Sequence, residues 1–86
     1  MIDDRKWLTE KPTEVRAGQV WRDLDPRTAV PRYIVVTRLT GHVGFYAARC
    51  SPDGHMPGIE RYYWTEAFLR RANTRSGFAL VKDSTP

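Results

Sequence analysis

Residues 18–27, GQVWRDLDPR, constrain the fold more than any other stretch, because a strand and the turn that ends it stand side by side there. Gln19, Val20 and Trp21 read as the start of a strand that runs to Leu24. Asp25-Pro26 stops it, since proline has no N–H for a ladder and restricts the residue before it. Val20 then faces one side of the pleat, and Gln19 and Trp21 face the other.

The rest of the chain repeats short runs between turn residues. Residues 32–40, RYIVVTRLT, are rich in β-branched side chains and read as a second strand. Ile34 and Val36 share a face with Arg32 and Arg38, while Tyr33, Val35 and Leu39 share the other. Neither face is purely apolar, which a bent strand would explain. Thr40-Gly41-His42 is a tight connection into a third strand at 42–50, where Gly44 marks a bulge or a close backbone approach. Residues 51–58, SPDGHMPG, hold two prolines and two glycines and read as a mobile hairpin connection. A fourth strand follows at 59–64. Thr65 is the expected cap of a helical turn through Arg71, with Phe68 and Leu69 facing the core. A turn at 72–77 leads to a fifth strand at 78–82. This order predicts a mainly β chain: a small five-stranded SH3-like barrel over residues 16–82. A flexible arm at 1–15 and a frayed tail at 83–86 flank it. An oligonucleotide-binding barrel is the alternative, but it needs more residues between its third and fourth strands.

Length and composition narrow the class. Eighty-six residues suit one domain, and a chain this short buries only about 60–65% of its unfolded surface, so its core must be small and well packed. No apolar run approaches the roughly 20 residues of a membrane span, and the opening MIDDRKWLTEKP has no signal-like apolar stretch. The expectation is a soluble, cytoplasmic protein without membrane contact. A single cysteine, Cys50, gives no internal disulfide. Between Arg16 and Arg75 stand ten arginines and no lysine against five acids, so this part alone carries +5 and the chain's formal charge of +4 comes from the folded part. Arginine forks suit phosphate and carboxylate and stack on aromatic rings, which favours an anionic partner. A basic face that merely meets solvent is the competing interpretation.

Two resemblances enter on these residues. The run GQVWRDLDPR, then RYIVV, YAARC and LRRANTRSGFALV, resembles a short uncharacterised family of actinobacteria and their phages. The likeness spans about residues 18–81 and implies origin rather than chemistry. Separately, RAGQVW with DLDP, followed by YIVV, is similar to the opening of the MazF and PemK type of toxin endoribonuclease, an SH3-like barrel. One residue fewer separates the tryptophan from the acids here, and the usual C-terminal helix is missing. That resemblance implies RNA cleavage, for which Arg32 and Ser51 stand nearest to the family's catalytic arginine and hydroxyl.

Side-chain chemistry points to binding more than to catalysis. Asp23 and Asp25 share a strand face and would couple as acids, but a rim paired with neighbouring arginines is the simpler reading. Cys50, His55, His42 and Asp53 do not stand at zinc-ligand spacing, and no metal or cofactor is expected. Aromatic residues interleave with arginines along the second, third and fourth strands, and Tyr62, Tyr63 and Trp64 cannot all face inward. Stacking rings beside guanidiniums suit nucleic acid. The expected function is therefore that of a small, non-enzymatic module binding nucleic acid or a bacterial protein. The alternatives are a phage-encoded modulator of a host complex and a divergent MazF-like ribonuclease. The candidate binding residues are Arg32, Arg38, Arg61, Tyr62, Tyr63, Arg70, Arg71 and Trp7, the last in the arm. An exposed edge strand also makes a homodimer a candidate.

Overall fold

The computed structural model describes residues 12–55 and 57–83; Trp7 and most of the expected arm lie outside them. Five strands form: β1 (Val20–Asp23), β2 (Tyr33–Thr40), β3 (Gly44–Cys50), β4 (Glu60–Trp64) and β5 (Phe78–Lys82), with helix α1 (Thr65–Arg70) before the last. All neighbours are antiparallel, in the order β4-β3-β2-β1-β5. A meander whose last strand returns beside its first, after one helical turn, is the expected SH3-like order. The sheet does not close, because β4 and β5 remain its edges. It curls enough to bring Tyr63 of β4 and Phe78 of β5 within 6.1 Å, ring centre to ring centre. The expected barrel is thus an open one, sealed by side chains where a ladder would otherwise stand.

Register explains which residues fill the interior. Trp21 sits opposite Ile34, Val36 opposite Ala47, and Phe45 opposite Tyr63, so these share the inner face. Phe68 of α1 drops into their midst and meets Trp21 at 4.8 Å, Phe45 at 4.9 Å and Phe78 at 5.2 Å. Trp21 and Phe45 are wholly buried, and truncating such a ring costs about 3–5 kcal/mol. The outer face carries a second, smaller layer. Val20, Val35 and Ala48 align across three strands, and Gly54 lies against the Val20 and Val35 methyls. Residues 51–55 and 57–58 are accordingly tied over that layer: Ser51 N–H bonds His55 O at 3.0 Å, and Gly58 N–H bonds Arg49 O at 2.7 Å.

Three local expectations change. First, β2 breaks register between Val36 and Arg38, so Arg38 pairs with Tyr46 instead of continuing the Ile34 and Val36 face. One extra residue in a strand turns everything after it to the other side, and Arg38 points outward. Second, Thr65 does not cap α1. The β3–β4 ladder runs one residue on and claims its N–H for Val43 O at 3.0 Å, leaving Trp64, still extended, at the cap position. Third, the packed chain begins before residue 16, since Val15 is buried in the core. Asp83 is also anchored at the other end: its carboxylate accepts the Gln19 amide at 3.1 Å. The same Gln19, itself buried, accepts the Trp21 indole N–H at 3.2 Å and the Arg16 N–H at 2.9 Å.

A candidate anion-binding cleft between the sheet edges

Where the curled sheet fails to close, its inner face opens into a cleft of about 500 Å³. The volume lies in the usual range for small-ligand sites, about 300–1,000 Å³. Strand alternation sends Asp23, Arg49 and Arg61 to this face, and Arg32 reaches it from just ahead of β2. Ile34, Ala47, Tyr63 and Phe78 make the apolar floor, and Gly58 with Ile59 the rim. Three guanidiniums therefore stand against one carboxylate. Arg32 binds Asp23 at 3.1 Å, but its Nε is buried without a hydrogen-bond partner. Arg49 and Arg61 make no ion pair among the described residues. Burial pushes the Tyr63 hydroxyl above its usual range, so it remains a neutral donor, while nearby Arg61 and Arg49 pull the other way. Among the described residues, the Arg32 Nε and the Arg49 and Arg61 guanidiniums keep donors available, with net positive charge over an apolar floor. That is the chemistry of a phosphate or carboxylate receptor.

The predicted site residues among those described fall into four groups. Arg32, Arg61 and Tyr63 meet in the cleft. Arg38 and Tyr62 stand on the outer face, where the Arg38 guanidinium lies 4.0 Å over the Tyr46 ring and 3.6 Å from Glu60. Arg70 pairs with Glu66 one helical turn earlier, at 3.0 Å. Arg71 lines a separate cavity of about 250 Å³ with Tyr62, Tyr63, Trp64 and Phe68. Arg49 and Ile59 were not among the predicted site residues. Arg49 was legible in YAARC, because it shares a strand parity with Phe45 and Ala47 and so must follow them inward.

The other chemistry considered from sequence is not assembled. Asp23 turns to Arg32, and Asp25 to Arg27 at 3.0 Å. Hydrogen bonds from the Arg27 side chain and backbone hold the Asp25 carboxyl down at about 2. Each acid thus has its own arginine, as the paired-rim reading expected for such acids. The Ser51 hydroxyl is engaged within its own loop, with Asp53 and with His55 O at 3.1 Å. His55 and Asp53 touch at 3.2 Å in solvent, whereas His42 lies at the far end of β3. Among the described residues, no three of His, Cys, Asp and Glu come together as a metal site. Nor is any helix among them long and apolar enough to cross a membrane.

No protein-family model, curated protein or solved structure matches the chain.

Proposed function

We propose that this protein is a binding module that holds the phosphate backbone of a nucleic acid in the cleft between β4 and β5. The observation that carries this reading is the convergence of Arg32, just ahead of β2, Arg49 of β3 and Arg61 of β4 on one open concavity with a single carboxylate. Guanidiniums spread along a surface are ordinary solvated charge. Three that face one another repel unless an anion lies between them, and a chain carrying phosphates at regular intervals meets all three.

The proposed role is recognition without chemistry. The nearest hydroxyl of the ribonuclease resemblance, Ser51, is committed to its loop, and Arg32 is committed in part to Asp23. Binding of labelled oligonucleotide across a salt series tests the reading. The expected affinity falls linearly with the logarithm of salt, and Arg49→Gln or Arg61→Gln each lower that slope by about 0.7 for single strands. An unchanged slope in both variants, or absence of binding at low salt, would dispose of it.

A further inference from the structure

The arginine cleft does not end at Tyr63 and Phe78. Both residues also line the second cavity, so the two concavities adjoin along the gap between β4 and the turn before β5. Their chemistry differs sharply. The first is lined by guanidiniums, whereas the second, about 250 Å³, is walled by Tyr63, Trp64, Ala67, Phe68 and Phe78, with Arg71 at its side. Trp64 is the unusual member. It is the last residue of β4 and stays 61% exposed, although the barrel has few apolar side chains to spare for its core. Tyr62 meets the indole edge-on at 5.4 Å, so the ring has a neighbour that fixes its orientation.

Resting on the reading of the first cleft as a phosphate site, we infer that the second cavity takes a nucleobase, and hence that the preferred ligand is single-stranded. A phosphate among Arg32, Arg49 and Arg61 places the attached sugar over Tyr63 and Phe78. The base then passes the open edge of β4 into the second cavity, where residues of both faces meet, Tyr63 and Phe78 from the inner and Trp64 from the outer, with the Arg71 guanidinium beside them. Only a base freed from its complementary partner enters such a cavity, because in a duplex its faces are already stacked. The Arg and aromatic sides of one gap thereby read the two halves of one nucleotide. A free nucleotide and a strand within an oligonucleotide share this chemistry and are separated by the probes below.

The test compares four probes on the full chain: an oligothymidylate single strand, a duplex of equal length, thymidine monophosphate and inorganic polyphosphate. The single strand should bind more tightly than the duplex and the polyphosphate. Trp64→Ala should weaken single-strand binding about tenfold, the ratio equivalent to roughly 1.4 kcal/mol, and leave polyphosphate binding unchanged. Trp64→Phe keeps a flat ring and should restore most of the loss. Tight thymidine monophosphate binding with no gain for the oligonucleotide would make the ligand a free nucleotide and overturn single-strand preference. Equal affinity of Trp64→Ala and the parent chain for the single strand would overturn the base site, as would a duplex bound equally well. Polyphosphate binding without any preference for nucleotides would leave the first cleft standing and remove only this inference. Failure of all four probes would remove both.

Discussion

Gln19 shows how much one side chain can hold when it is buried with every polar atom engaged. Its amide joins three parts of the chain: the Arg16 N–H, the indole of Trp21 and the carboxylate of Asp83. Gln19→Ala would leave the Trp21 N–H without a partner in the core, and a buried donor so stranded costs about 1–3 kcal/mol. Urea denaturation should show that loss, and a midpoint equal to the parent's would argue against it. Cys50 illustrates the opposite, a reactive group made quiet. Burial, and then the nearby Asp53 charge, push its thiol above the usual range. A raised thiol releases less thiolate at any given pH, so iodoacetamide should modify Cys50 at pH 8 more slowly than it modifies glutathione. A rate equal to or above that of glutathione would contradict this environment.

At the scale of elements, the strands and their order were legible because punctuation and parity act locally. Asp25-Pro26, Gly41 and the 51–58 run each end a strand where turn chemistry demands it, and the faces of β1, β3 and β4 follow from alternation. What was not legible depends on partners distant in sequence. The mixed faces of RYIVVTRLT suggest a bent strand, but not that the break falls after Val36 and reverses the outlook of Arg38, because its position is set by the register with β3. Thr65 looks like a cap, but the backbone stays extended through Trp64, which takes the cap position and leaves Thr65 inside the first turn. Gly44 reads as a bulge or a close approach, and the structure makes it a close approach: a Cβ there would overlap the Tyr62 phenol and press on the Tyr63 carbonyl. Gly41 provides the contrast, with a φ of 63° but open space around it. Gly44→Ala must therefore shift β4 and should cost about 1–3 kcal/mol as overpacking. Gly41→Ala carries only the left-handed backbone penalty, roughly 1–2 kcal/mol. The distinguishing result is found at β4: Gly44→Ala should change amide exchange along Glu60–Trp64, whereas Gly41→Ala should leave that strand as it was.

For the molecule as a whole, the open edge links stability to binding. Closing the sheet with a β4–β5 ladder would occupy the gap in which both concavities lie. The chain instead joins those edges through Tyr63, Phe78 and Phe68. That leaves Arg32, Arg49 and Arg61 facing a common space where, among the described lining residues, Asp23 is the one carboxylate. Like charges held together destabilise the compact state, and salt screens the effect. Arg49→Gln should thus raise the thermal midpoint in low salt. The gain is about 0.5 kcal/mol for such a partly exposed group, or roughly 2–4 °C in a domain this small. Polyphosphate, which fills the same space with negative charge, should raise the parent's midpoint by mass action, about 2.7 kcal/mol at a hundred times its dissociation constant. In Arg49→Gln most of that rise should vanish. Destabilisation of Arg49→Gln in low salt would mean that Arg49 supports the fold. An equal polyphosphate effect in both proteins would mean that the anion binds elsewhere.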